Sequence, residues 1–500
     1  MLRRLARQSS VYAVANVAAK LSGFVLMAYY GDTAIMPEAE FGYLDGLNAV
    51  MAFSLLIAGV GLPLGIIRFA SSPTLDDAER AAVPATALAL AVGAGLAFAA
   101  AGWALATPAA GLFLEDTGQA EAMRWLAVYV GFKTVSDVSY TVLRQRERAG
   151  VFALVGAAEA ALLVVSVIYF LLDGQGLVGV MRGYALSAAV GAAVLTPLLL
   201  AHVDRRVRWD LVGPMLSFGV PLIASGLAGR FLNLGDRYLI IYLLSAEANA
   251  PYGWAARFGG VVNTLLVQSF VLAFTVLGMK SLDETGRPDL HRQAFRHLAA
   301  LAGWVVLGLG LFVVDVSRLL TDNPAYIETE GLVVLVAGGF GFYGLYYVAV
   351  NVLYAAGRTR VVAASVGAAA VLNLALNLVL IPTVGVAGAA LATLVSYAAL
   401  AVGTARLAQA TMAVDYPWRA LVAVSALTVG LWLVGTATAD WSTAARLAAR
   451  AGLALAYVPG LVLLGVYDRG DLRRGLALAT GREHGGSTAE GPPPAEGRAR

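Results

Sequence analysis

The chain has 500 residues, of which 59% are hydrophobic and 13% charged, with a formal net charge of +3. A soluble globular domain carries about 25% charged residues, so this composition excludes a soluble protein and implies a polytopic membrane protein. The chain has no cysteine and four histidines (His202, His291, His297 and His484), which excludes disulfides, thiolate metal sites and cysteine nucleophiles; no metal site and no cofactor are expected.

The amino terminus carries Arg3, Arg4 and Arg7 ahead of an apolar segment, 9–31. That segment lacks a small-residue cleavage site and is read as a first transmembrane helix, not a signal peptide. Further apolar segments follow at 42–67, 82–106, 122–143, 150–172, 176–201, 213–244, 252–279, 297–319, 331–357, 361–381, 385–408, 418–438 and 446–467. At about 1.5 Å per residue, roughly 20 residues cross a hydrocarbon core of about 30 Å, so the chain reads as all-α with about 14 transmembrane helices. Several segments exceed that length, and Pro63, Pro84, Pro221 and Pro459 mark expected kinks. After Asp468 the apolar runs stop, and Gly485 to Arg500, with Pro492, Pro493 and Pro494, reads as a disordered tail.

Charge sets the expected topology. An even helix count puts both termini on one side, together with Arg68, Arg80, Arg144, Arg146, Arg205, Arg206, Arg208, Arg358, Arg360 and most of the other basic residues. The opposite turns carry Asp32, Glu38, Glu40, Glu115, Asp116, Asp322, Glu328 and Glu330. By the positive-inside rule, both termini are expected in the cytoplasm of a protein that crosses the plasma membrane many times.

An internal repeat is visible. Gly176, Gly179 and Ser187 recur as Gly385, Gly388 and Ser396, and Phe41-Gly42 recurs as Tyr252-Gly253. Both matches superimpose segments 7–12 on segments 1–6 in the same orientation, which implies two six-helix lobes related by a pseudo-two-fold axis along the membrane normal. The expected divisions are an N-lobe at 1–205, a C-lobe at 206–410, two further helices in 411–468 and a tail at 469–500.

Five cations fall inside predicted spans: Lys20, Lys133, Arg230, Arg237 and Arg257. Lys133 and Asp137 are four apart and can neutralise one another along one helix face or serve a cavity. Glu159 has no basic residue within a turn and is a candidate for ion coupling. Asp45 lies nearer a span end and is expected at the interface. Lys20, Arg230 and Arg257 have no neighbouring acid to explain them, so they either line a wet cavity and meet an anion or snorkel to an interface. Asn373 and Asn377, four apart on one face, either bond neighbouring helices or touch polar cargo. Gly339, Gly341 and Gly344 have dinucleotide-fingerprint spacing but sit in an uncharged apolar run with no preceding strand, so neither nucleotide nor nucleic acid is an expected partner.

The run from Asn373 to Tyr397, N-L-A-L-N-L-V-L-I-P-T-V-G-V-A-G-A-A-L-A-T-L-V-S-Y, resembles the helix 11 to 12 signature of the polysaccharide (oligosaccharide-lipid) flippases. These belong to the multidrug/oligosaccharidyl-lipid/polysaccharide (MOP) exporter superfamily. Phe41-Gly42-Tyr43 with Gly61-Leu62-Pro63, Gly219-Val220-Pro221 leading to Asp236-Arg237, and Tyr252-Gly253-Trp254-Ala255-Ala256 resemble the same family. The resemblance implies a non-enzymatic flippase for a polyprenyl-phosphate- or diphosphate-linked oligosaccharide, working beside membrane lipid and the glycosyltransferases of its pathway. It also implies a structural or outer-gate role for the Asp236-Arg237 pair. The competing readings are a cation-coupled multidrug exporter of the same superfamily, which would favour acidic residues in its cavity, and a polytopic glycosyltransferase or polymerase, which would need large catalytic loops.

Overall fold

The computed structural model describes residues 23–146, 148–285, 289–468 and 470–471, and among these every regular element is helical. Helix α1 covers 23–30, and after Pro37 comes α2, Glu38–Ala58, whose first turn carries Glu38 and Glu40 at the positive end of the helix dipole. The predicted second span breaks where Val60 (φ 46°) and Gly61 (φ 67°) take left-handed backbone, and α3, Leu62–Ala70, restarts with Pro63 in its first turn. A capping box on Asp76 and Glu79 opens α4, Asp77–Ala104, which leads into α5, Ala106–Leu114. Then follow α6 (Ala120–Gln145), α7 (Ala149–Leu172) and α8 (Gly176–Leu200).

Helix α9, Val212–Leu243, bends by 46° between the stretches Trp209–Pro221 and Gly226–Leu243. Helix α10, Ala246–Val261, passes through a π-helical turn, Val262–Val267, into α11, Gln268–Thr285. The remaining helices are α12 (Asp289–Leu320), α13 (Pro324–Ile327), α14 (Glu330–Ala355), α15 (Thr359–Val384), α16 (Val386–Met412), α17 (Trp418–Thr436) and α18 (Thr443–Leu463).

Among the described residues, ten helices are long and apolar enough to cross a membrane, and the bent α9 makes eleven. The predicted total near fourteen is not reached by that measure, for physical reasons. Helix α6 is long enough but carries Glu121, Arg124, Lys133 and Asp137, the eighth predicted span is divided by the π-turn, and the first lies partly outside the described residues.

Contacts between turns define two ends of the bundle. At one end, Leu177 N–H donates to Glu40 Oε2 (2.7 Å), Thr321 Oγ1 to the Gly31 carbonyl (2.6 Å), Asn323 Nδ2 to Glu38 Oε1 (2.6 Å) and Arg182 Nη2 to Glu121 Oε1 (2.5 Å). At the other, Arg208 reaches Glu79 (3.3 Å) and Arg292 reaches Asp415 (3.6 Å). We call these the acidic and the arginine-rich ends.

The chain divides into two compact units, Met1–Tyr416 and Pro417–Arg500. In the first, α4, α6, α7 and α8 pack on one another, as do α12, α14, α15 and α16, while α2 packs against both α9 and α10. The α2–α10 contact is reciprocal. A Cβ on Gly42 would lie 1.7 Å from the Ala246 carbonyl oxygen, and one on Gly253 would lie 2.8 Å from the Asp45 carboxyl carbon. These are the two glycines of the matched Phe41-Gly42 and Tyr252-Gly253 motifs, and both lie at the α2–α10 contact. The second unit is the α17–α18 hairpin, whose turn is held by Arg446 Nη1 on the Ala439 and Trp441 carbonyls (3.4 Å each).

Candidate functional site

The seam where α2 meets α9 and α10 carries two charged clusters on one face of α2, since Phe41 and Asp45 are four residues apart. Phe41 is fully buried, with the rings of Tyr326, Tyr30 and Trp254 at 5.4, 5.9 and 6.2 Å between centroids. The Arg257 guanidinium carbon stands 4.4 Å from the Phe41 centroid and 5.5 Å from that of Tyr30. Trp254 stacks on Tyr326 at 4.9 Å and donates its Nε1–H to Ser317 Oγ at 3.0 Å, which fixes the far wall of this aromatic box. Arg257 Nη1 is buried with no hydrogen-bond partner among the described residues.

One helical turn along α2, Asp45 Oδ2 pairs with Arg237 Nε at 3.1 Å. Arg237 Nη1 also donates to Asp236 Oδ1 at 2.8 Å, so the adjacent residues do bond to each other. Asp236 Oδ2 accepts from the Tyr252 hydroxyl and from Thr393 Oγ1 (3.3 Å). This cluster ties α2 to α9, α10 and α16. Asp45, expected at an interface, is instead 5% exposed and engaged in it. The missed signal was sequence-distant, because Arg237 lies beyond any within-helix search.

A second carboxylate-bearing cluster, apart from the two at the seam, joins α6 and α7. Lys133 Nζ is 3.2 Å from Asp137 Oδ1 and 3.3 Å from Glu159 Oε1, and the Tyr140 hydroxyl donates to Glu159 Oε2 at 2.7 Å. Glu159 is therefore not isolated, and Lys133 and Asp137 do not form a self-contained pair. Helix α7 brings its carboxylate to the cation from 26 positions away. Gly191 admits the carboxylate, since a Cβ there would lie 3.1 Å from Glu159 Cδ.

The other sequence candidates are dispersed. Asn377 Nδ2 donates to Asn373 Oδ1 (3.0 Å) and to the Asn373 carbonyl (2.9 Å), so these amides bond along α15, leaving Asn373 Nδ2 and Asn377 Oδ1 buried without partners among the described residues. Arg230 is exposed on α9, and no described contact joins it to Arg257. Lys20 lies outside the described residues. Of the three cations expected at one anion site, Arg257 alone is seen at the seam.

The chain matches the polysaccharide biosynthesis protein family over residues 5–276, more than half of its length. It belongs to that family. Among solved structures, this family member is similar to the lipid II flippase MurJ in an inward closed conformation, with TM-score 0.72 and 12% identity over 92% of this chain and 99% of that one. It is also similar to an inward-facing MATE family multidrug resistance transporter of the MOP superfamily, with TM-score 0.63 and 16% identity over 80% and 94% of the two chains. A third match is the MATE multidrug transporter DinF-BH, with TM-score 0.58 and 13% identity over 81% and 94%. A comparison with curated proteins finds no match. The polysaccharide biosynthesis family member is thus a multi-pass membrane protein whose regular elements are all helical among the described residues, with the fold shared by MurJ and the MATE proteins.

Proposed function

We propose that the protein is a flippase that moves a polyprenyl-phosphate- or diphosphate-linked oligosaccharide from the cytoplasmic to the outer leaflet by alternating access, in cell-surface polysaccharide or glycan synthesis. Its two six-helix lobes, 1–205 and 206–410, rock about the α2–α9–α10 seam, and its termini and arginine-rich end lie in the cytoplasm. The task is to carry an anionic, hydrated headgroup across hydrocarbon while the polyprenyl tail stays in lipid. It requires a cation at the seam that no protein carboxylate has claimed.

Arg257 is that cation, and it carries the reading. Asp45 and Asp236 are engaged by Arg237, and Asp137 and Glu159 by Lys133, while Arg257 rests on aromatic faces with Nη1 unpartnered among the described residues. A multidrug exporter for cationic drugs would instead need an unpartnered carboxylate at the seam, where Asp45 and Asp236 are both held by Arg237. The flippase reading involves no catalysis, and the glycosyltransferases that build the cargo are its pathway partners. The carboxylate proposed for ion coupling is Glu159, held by Lys133 and Tyr140.

The test is flipping of a fluorescent polyprenyl-diphosphate-linked oligosaccharide in proteoliposomes. Arg257→Gln removes a charge-assisted contact of ~1.5–3 kcal/mol and is expected to weaken cargo binding about ten- to a hundredfold, with Arg257→Lys milder because it keeps the charge. Unchanged binding and flipping in Arg257→Gln would remove the physical support for this reading.

A further inference from the structure

The glycine contact of α2 with α10 has a counterpart toward the arginine-rich end, and the counterpart is strained. Where α2 gives way to α3, Val60 takes φ 46° and Gly61 φ 67°. Left-handed backbone crowds Cβ against the carbonyl oxygen, and for a β-branched residue it persists only where the surroundings impose it. Glu115 and Ala413 also have positive φ, but both end a helix at its C-cap, where such backbone is common, whereas Val60 lies inside one apolar span, Glu38–Ala70. What imposes the turn is Gly219 of α9. A Cβ on Gly219 would lie 2.1 Å from the Val60 carbonyl oxygen, and one on Gly61 would lie 2.6 Å from Gly219 Cα, so the left-handed turn lays the Val60 carbonyl on the Gly219 backbone. Further contacts surround this point. Met215 Cε lies 3.8 Å from the position of a Cβ on Gly65, the Arg68 guanidinium carbon stands 4.3 Å from the Phe218 centroid, and Arg208 N–H donates to Thr86 Oγ1 at 3.0 Å. Each joins a helix of the proposed first lobe to α9 or to the approach to it.

The chain has an unstrained alternative. With Val60 and Gly61 right-handed, Pro63 could not donate to the Gly59 carbonyl, and α2 and α3 would run on as one helix with an ordinary proline kink. We propose that Val60-Gly61 is a sprung latch. Docking on Gly219 sets the left-handed turn and closes the seam toward the arginine-rich end; relaxation into the kinked helix withdraws the Val60 carbonyl and opens it. The α2–α10 contact at the acidic end is made by right-handed helix on both sides and holds no such strain. Of the two closures the strained one yields first, so the empty protein opens at the arginine-rich end. The inference rests on the flippase reading for its use: an opening there admits cargo from the side on which it is made.

The cysteine-free chain permits a direct test. Met215 is 1% exposed, so in nanodiscs the rate at which a small maleimide alkylates Met215→Cys reports how often α3 leaves α9. Val60→Gly and Val60→Asn, made in that background, relieve the strain because both residues accept positive φ. Each is expected to lower the alkylation rate at least threefold and, with Met215 restored, to slow flipping of a lipid-linked oligosaccharide in proteoliposomes. A merely looser turn would raise the alkylation rate. Gly61→Ala, strained at φ 67° and aimed at Gly219, is expected to raise it at least threefold; if that variant does not fold, the two Val60 variants decide. Alkylation unchanged or faster in both Val60 variants overturns the proposal. Slower alkylation with wild-type flipping also overturns it, because the turn is then no gate, and leaves the flippase reading standing. A wild type that flips no lipid-linked oligosaccharide overturns the flippase reading, and the latch is then decided by the alkylation rates.

Discussion

Arg237 on α9 pairs with Asp45 on α2 at 3.1 Å while also holding its neighbour Asp236 at 2.8 Å, so one guanidinium serves two carboxylates from opposite sides of the seam. All three side chains are nearly buried, at 11%, 7% and 3% exposure. Removing the shared cation leaves two buried acids facing each other, whereas removing Asp45 leaves a complete pair on α9.

Arg237→Gln is therefore expected to destabilise the protein by about 3–5 kcal/mol. Asp45→Asn should cost less and chiefly loosen the seam. Thermal unfolding in detergent ranks the two, and labelling of a cysteine at Thr33 reports the loosening. Equal destabilisation by both substitutions would show that the cluster does not work as a shared pair.

Gly42 tests the closeness of α2 and α10. A Cβ at this position meets the Ala246 carbonyl at 1.7 Å, and backbone cannot give way as a side-chain tip can. Gly42→Ala is expected to cost about 1–3 kcal/mol as overpacking and to reduce flipping. Gly93 on α4 has nothing within 4 Å of its Cβ position, and Gly93→Ala should be neutral or stabilising by up to about 1 kcal/mol. Similar effects at the two sites would sink the argument.

In the Lys133 cluster, Glu159→Gln leaves Lys133 with Asp137 at 3.2 Å, whereas Lys133→Met strands two acids. Glu159→Gln is expected to fold and to blunt the dependence of flipping on an imposed proton or sodium gradient. Lys133→Met is expected to lower expression and melting temperature. Gradient dependence untouched by Glu159→Gln would take this carboxylate out of coupling.

The charge asymmetry of the two ends predicts their sides. Single cysteines at Glu328, in the turn before α14, and at Arg360, at the start of α15, are both at exposed positions. An impermeant thiol reagent on intact cells is expected to label the first and spare the second. The reverse pattern would invert the assignment of the arginine-rich end to the cytoplasm.

Helix positions were legible because long apolar runs have few alternatives. Segments 150–172, 331–357 and 361–381 reappear within a few residues as α7, α14 and α15. The break between α2 and α3 was marked by Pro63, and the bend in α9 by Pro221. The charge partners were not legible, because pairing depends on helix packing: Glu159 looked isolated although α6 delivers Lys133 to it, and Asp45 looked interfacial although α9 delivers Arg237. Arg257 was readable as an unexplained cation. Its aromatic surroundings were not, because Tyr30, Phe41 and Tyr326 come from three separate elements.

The π-turn at Val262–Val267 joins two helices that both pack on α14, of which α10 also packs on α2. Helix α10 is fastened to α2, where Asn249 Nδ2 donates to the Gly42 carbonyl at 2.9 Å. Helix α11 is fastened to α14, where Asn351 Nδ2 donates to the Thr275 carbonyl at 3.2 Å. A turn with one surplus residue lets the two helices swivel without unwinding either.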